Sequence, residues 1–319
     1  MNAATRDGRK SGNPARRAAA TRQVSSGGSS TITWRNWVGG ARLRTLPLAV
    51  APVAAGAGVA HMVQGFSWPL TLLALGVAVF LQIGVNYAND YSDGIRGTDE
   101  FRVGPARLTG SGLVDPKRVL ATALVFFALA AACGLVAVLM SGRWWFLALG
   151  VVAIVAAWFY TGGKRPYGYA GLGEVFVFIF FGLVATVGTT WLQTGVQTQE
   201  VWWAGAGVGL LAVAVLLANN TRDIATDRLA GKRTLSVRIG DRGSRILYVV
   251  CVLLPFVVPA VYGAVHPGMI LVWLVLVIVI PSSVITLWAR TARELIIVLG
   301  LTSLAALAYG VLIGIAFAF

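Results

Sequence analysis

Residues 69–100 read PLTLLALGVAVFLQIGVNYANDYSDGIRGTDE, and two features of this stretch decide the fold. Positions 69–88 are uncharged and overwhelmingly apolar, and 20 residues at 1.5 Å rise per residue give about 30 Å, the thickness of a bilayer's hydrocarbon core. The acids Asp90, Asp93, Asp99 and Glu100 then follow at once. In lipid a run of this length satisfies its backbone only as a helix, since barrel strands would alternate and be half as long. Working outward, eight further runs of similar character occupy 46–63, 119–140, 144–160, 175–192, 201–218, 246–265, 268–289 and 295–319. The expected fold is therefore all-α, a polytopic membrane protein with nine transmembrane helices in one bundle.

Composition agrees. Of 319 residues 57% are hydrophobic and 12% charged, with a mean hydropathy of +0.76, which excludes an ordinary soluble fold. The net charge of +14 would suit a nucleic-acid binder, but its distribution does not. In the nine-span arrangement 25 of the 26 Lys and Arg fall on one side, leaving Arg143 alone on the other. This is an orientation signal that places the N-terminus in the cytoplasm, with no nucleic acid implied. Trp68, Trp144, Trp145, Trp191, Trp202 and Trp203 fall at the opposite span ends, where indole suits the lipid–water boundary. Residues 1–33, rich in Arg, Ser, Gly and Ala, read as a disordered basic tail before a membrane domain at 34–319. The pair Arg16-Arg17 is weakly reminiscent of a targeting signal, but no short apolar core follows it. Cys133 and Cys251 sit inside apolar runs, and His61 and His266 stand alone, so neither type builds a site.

Two acid clusters interrupt the basic loops, each at the same side's end of an even-numbered span. Asn86, Asp90 and Asp93 are spaced i, i+4, i+7, and Asn219, Asp223 and Asp227 are spaced i, i+4, i+8, so each trio lines one helical face. One such motif is as well explained by helix capping and loop solvation. Two matched copies in an acid-poor chain are not. Stacked carboxylates at a membrane boundary need a compensating cation, and oxygen donors without His or Cys suit a hard ion such as Mg²⁺ with phosphate oxygens. With Arg and Lys nearby, the pattern fits a diphosphate site. A secondary transporter is the alternative from another class, but its carboxylates would lie near the bilayer midplane rather than at span ends.

These motifs, N-x3-D-x2-D at 86–93 and N-x3-D-x3-D at 219–227, resemble the aspartate-rich motifs of the UbiA superfamily of intramembrane prenyltransferases. The stretches NDYSDGIRGTD (89–99), VGPARLTGSG (103–112), YTGGKRPYGYAGLGE (160–174) and NNTRDIATDRLAGKRTLSVRIG (219–240) are most similar to its menaquinone-pathway branch in actinobacterial form. The resemblance covers roughly 35–319. It implies transfer of a polyprenyl group from an allylic polyprenyl diphosphate to 1,4-dihydroxy-2-naphthoate, with loss of carbon dioxide and diphosphate, on the way to menaquinone. The active site would face the cytoplasm at the plasma membrane. Acceptors such as 4-hydroxybenzoate share the scaffold and are the runner-up.

The resemblance also assigns roles. Asp90, Asp93, Asp223 and Asp227 would hold Mg²⁺, with Asn86 and Asn219 as ligands or their supports, and Lys164, Arg165, Arg222 and Lys232 would meet the diphosphate. The superfamily pattern for the first motif is N-x3-D-x3-D, whereas position 94 here is Gly, so both Asp93 and Asp99 are candidates to complete it. The ring of Tyr160 either steadies an allylic cation or belongs to an interfacial aromatic belt. Arg42 and Arg44 either anchor the first span or meet the carboxylate of the aromatic acceptor. The glycine-rich loops 89–118 and 161–174 would fold over the substrate and keep water out, and the prenyl tail would leave through an apolar cleft between helices.

Overall fold

A computed structural model describes residues 32–98 and 107–319. The described residues form helices and connecting turns, with no strand among them. A short amphipathic helix α1 (Trp34–Ala41) precedes α2 (Pro47–Met62), α3 (Trp68–Ile95), α4 (Pro116–Ser141) and α5 (Trp145–Phe159). Then follow α6 (Gly173–Thr194), α7 (Gln199–Arg222), the single-turn-and-a-half α8 (Ile224–Leu229), α9 (Leu235–Tyr262), α10 (Pro267–Trp288) and α11 (Ala292–Ala318). Each of the nine apolar runs has become one of these helices.

Among the described residues seven helices are long and apolar enough to cross a membrane, or eight if Trp34–Thr45 and Pro47–Met62, bent by 45°, count as one span. Helix length and composition thus account for seven or eight of the expected nine. The difference lies in α2 and α5, of 16 and 15 residues, which rise only about 23 Å and fall short of a hydrocarbon core unless their ends are extended. The chain is a multi-pass membrane protein.

Local chemistry sets the helix ends. The Asp115 carboxylate accepts the Lys117 N–H at 2.7 Å to cap α4, with Pro116 at its first position. Thr291 and Glu294 form a reciprocal capping box at the start of α11. Between α1 and α2 the backbone of Arg42 turns through the left-handed region, φ 52°, an uncommon conformation for a non-glycine residue.

Helix α7 is the axis of the bundle. Of its most apolar window 72% is buried, against 22–44% for the other long spans, and Val201, Ala204, Val208, Leu211 and Ala218 are almost fully enclosed. Outward, large apolar side chains such as Val151, Val277 and Leu274 are exposed, as a surface solvated by lipid requires. Packing relies on small residues. A methyl group on Gly314 of α11 would stand 2.5 Å from the Ala54 carbonyl oxygen of α2, and one on Gly182 of α6 would stand 2.5 Å from Gly209 Cα of α7. Without a hydrophobic drive between helices in lipid, this backbone proximity supplies the association energy. Gly314→Val should therefore cost about 2 kcal/mol or more by overpacking, read as a lower melting temperature in detergent, with Gly300→Ala, where no atom lies within 4 Å, as the neutral control.

Candidate active site

Helices α1–α8, with α11 at one edge, line one cavity of about 1050 Å³. Its polar end is lined by Asn86, Asp90 and Asp93 of α3 and by Asn219, Arg222, Asp223, Asp227 and Lys232 from α7 to the turn after α8. Both acid motifs thus face one space. The remainder, walled by residues such as Ala78, Leu81, Val138, Ile154 and Phe180, offers an apolar slot. Helix α6 contributes to it through a π-helical segment, Phe178–Val184, a local widening often found where a helix shapes a site.

Each carboxylate is held in a distinct way. Asp90, 2% exposed, accepts the N–H of Leu108 at 2.9 Å and of Thr109 at 2.8 Å, one on each oxygen, so it anchors the returning chain over the cavity. Asp93 takes Lys232 Nζ at 3.3 Å and Arg107 at 3.5 Å on Oδ2, and the hydroxyl of Tyr169 donates to its Oδ1. Arg222 grips Asp223 with two nitrogens at 2.7 and 2.6 Å and reaches the side-chain oxygen of Asn219 at 2.9 Å, a bidentate fork of the kind that also suits phosphate. Asn86 donates its amide to the Ala41 carbonyl at 2.9 Å and to Thr45 at 3.3 Å, so only its carbonyl oxygen is left for a ligand. Burial first, then the neighbouring Asp223 and Asp93 carboxylates, push the Asp227 carboxyl up to about 6 against the pull of Lys232. Burial and the Asp93 charge hold the Tyr169 phenol protonated, well above its ordinary range.

Among the remaining candidates, Tyr160 lines the cavity with its ring edge-on to Tyr167, centroids 5.5 Å apart. Arg42 and Arg44 also line it. Lys164 and Arg165 do not: both are exposed and outside the lining, because the Arg96 guanidinium donates to the Thr161 and Gly163 carbonyls and holds that turn with its basic tip outward. Asp99 lies outside the described residues. The sequence reading missed Arg96, Arg107, Tyr169 and the Asn89–Thr161 pair, in which the threonine hydroxyl donates to the amide oxygen at 2.6 Å. All lie in the quoted stretches, yet only their fold-over shows where they act.

Residues 49–295 match the UbiA prenyltransferase family. The chain belongs to that family. It is 46% identical over 291 residues, 90% of this chain and 98% of the other, to the 1,4-dihydroxy-2-naphthoate octaprenyltransferase of Mycobacterium tuberculosis. It is 40% identical to the enzyme of the same name from Escherichia coli, over 68% of this chain and 72% of that one. Among solved structures, a UbiA homolog from Aeropyrum pernix superposes with a TM-score of 0.64 at 16% identity, covering 84% of this chain and 96% of that one. A UbiA homolog from Archaeoglobus fulgidus bound to GPP and Mg²⁺ gives 0.60 at 15%, covering 87% and 99%. At such identities the structures speak to the fold alone.

The donor set of this UbiA-family chain passes a chemical test for a hard divalent cation. The four carboxylates of the two motifs and their carboxamides Asn86 and Asn219 border one space with oxygen donors, and Asp227 is crowded by like charge, which a cation would relieve. Among the described residues no three His, Cys, Asp or Glu side chains form a ready-made cage. The acids stand instead as two half-sites, with Lys232 of the second reaching Asp93 of the first.

Proposed function

We propose that this chain transfers a polyprenyl group from an allylic polyprenyl diphosphate to 1,4-dihydroxy-2-naphthoate, releasing carbon dioxide and diphosphate and leading to demethylmenaquinone in menaquinone biosynthesis. One observation carries the reading: two acid motifs and the cations Arg222 and Lys232 share the polar end of a cavity whose remaining walls are apolar. The names of relatives 40–51% identical to it support the same acceptor. The catalytic unit is residues 34–319, set in the plasma membrane with the site on the cytoplasmic side, in line with the Lys and Arg distribution.

Magnesium held by Asp90, Asp93, Asp223 and Asp227, with Asn86 and Asn219 beside them, would neutralise charge on the departing diphosphate. The chain's own residues do the rest. Arg222 and Lys232 supply fixed positive charge to the diphosphate oxygens, more effective in this enclosed space than in water. As the allylic C–O bond breaks, positive charge grows on the prenyl carbon, and the Tyr160 ring faces the cavity where it can stabilise that charge. The ring carbon bearing the carboxylate attacks, the new C–C bond forms, and the electron pair of the C–CO₂ bond returns to the ring as carbon dioxide leaves. No dedicated base is required for this substitution. Arg42 and Arg44, which line the same cavity, would meet the acceptor carboxylate. Closure by the loops over Asp90 and Asp93 keeps water from the cation.

Purified protein offered a panel of aromatic acids and prenyl diphosphates should yield a prenylated naphthalenediol with loss of 44 mass units per dihydroxynaphthoate consumed, the mass of carbon dioxide, to about the nearest unit. Coupling to 4-hydroxybenzoate alone would overturn the acceptor assignment. Since Asp227 titrates near 6 without metal, protons compete with the divalent ion below that pH and not above it. The Mg²⁺ concentration for half-maximal activity should rise as pH falls from about 6 to 5 and stay flat between about 7 and 8; a flat profile throughout would remove Asp227 from the metal site.

A further inference from the structure

Tyr169 belongs to neither acid motif, yet it touches Asp93 of the first and Lys232, five residues after the second. Its hydroxyl donates to Asp93 Oδ1 and stands 3.4 Å from Thr98 Oγ1, whose own hydroxyl reaches the Asp93 carbonyl at 3.1 Å. Its ring carries two cations, Lys232 Nζ at 4.7 Å and Arg96 Cζ at 5.6 Å from the centroid. Its backbone is fixed too: the Tyr169 carbonyl accepts the Arg233 N–H at 2.9 Å, and the neighbouring Ala170 carbonyl accepts from Arg238 at 2.8 Å. One side chain therefore joins the end of α3, the 160–172 turn and the segment after α8.

We propose that Tyr169 is a positioning residue that assembles the diphosphate grip, holding Asp93 of the first motif and Lys232, just after the second, in one register. The inference rests on the functional reading above and adds a part that it does not contain. Both of the groups it holds need such a support. Lys232 has a four-carbon stem and many rotamers, and its ammonium is a poorly oriented point charge unless something fixes it; the aromatic face on one side and the Asp93 carboxylate on the other do so. Asp93 must keep an oxygen turned to the cavity although two cations compete for Oδ2. The phenol occupies Oδ1 with a neutral hydrogen bond, which fixes the carboxylate plane without adding charge. Phenylalanine would keep the aromatic face for the cations and lose only the carboxylate contact, and leucine would lose both. The two functions are thus separable.

The test uses full-length protein in detergent and inorganic pyrophosphate with Mg²⁺ as the probe, read by calorimetry and independent of turnover. Tyr169→Phe should weaken pyrophosphate binding about tenfold and Tyr169→Leu about a hundredfold, each factor of ten being about 1.4 kcal/mol. In turnover, the KM for dihydroxynaphthoate should be unchanged in Tyr169→Phe while that for the prenyl diphosphate rises. On a Lys232→Met background, Tyr169→Leu should add only about tenfold, the share carried through Asp93, because the share carried through Lys232 has nothing left to position. Wild-type affinity in both Tyr169 variants overturns the proposal, and so do losses that multiply in the double variant, the mark of a merely structural side chain. If Tyr169→Leu does not fold, the near-isosteric Tyr169→Phe decides alone. Wild-type protein that neither binds pyrophosphate with Mg²⁺ nor prenylates dihydroxynaphthoate would overturn the functional reading itself, a result distinguishable from the loss of the Tyr169 effect.

Discussion

Asp90→Asn and Asp223→Asn should each lower prenyl transfer by about a thousandfold or more, while the protein still inserts in the membrane. For Asp90 two effects combine. Both of its oxygens accept backbone N–H groups of the segment that covers the cavity, and an amide would present N–H to one of those donors. Each buried hydrogen bond to a charged group contributes about 1.5–3 kcal/mol, and a buried donor left unmet adds a penalty of its own. The loss of negative charge for a divalent ion comes on top. For Asp223 the substitution leaves Arg222, whose side chain is only 4% exposed, without its bidentate partner and free to pair elsewhere. Single-turnover prenyl transfer in detergent, beside a membrane-fraction blot, checks both variants. Near-normal activity in both would remove the acid motifs from the reaction.

The second large effect separates two lysines that the sequence treats alike. Lys232→Met should lower kcat/KM about a hundredfold or more, the usual cost of removing one fixed charge from a transition state's developing anion. Lys164→Met should stay within about threefold, since an exposed lysine outside the cavity contributes only weak, screened attraction. The contrast follows from geometry. Lys232 lines the cavity, 3.3 Å from Asp93 and over the Tyr169 ring, whereas the turn bearing Lys164 is clamped by Arg96. Equal losses in the two variants, measured across a prenyl diphosphate titration, would contradict the placement of the 160–172 turn.

Much of the candidate site was legible beforehand. Asn86, Asp90, Asp93, Asn219, Asp223 and Asp227 all border the cavity: helical spacing puts the first trio on one face of α3, whereas the second spans the break at Asp223 between α7 and α8, and the alternation of spans puts both trios at one end. Tyr160, Arg222, Lys232, Arg42 and Arg44 also reach it. What could not be read were contacts made across loops. Arg107 meets Asp93 from 14 positions further along and Tyr169 from 76, distances at which no periodicity operates. Nor could the sequence show that Lys164 and Arg165 lie exposed outside the cavity lining: a basic pair near a tyrosine has no visible direction until the Arg96 clamp fixes the turn.

The sequence alone determined that this chain crosses a membrane, which segments are helical and where its acids gather. Uncharged runs near 20 residues leave the backbone one way to satisfy itself in hydrocarbon, and composition is enough to show it. The tertiary structure alone decided which cations face the acids and which face solvent, and that one tyrosine joins Asp93 to Lys232. Those outcomes depend on close glycine packing and on loops folding back over α3 and α7, and a linear pattern carries no information about either.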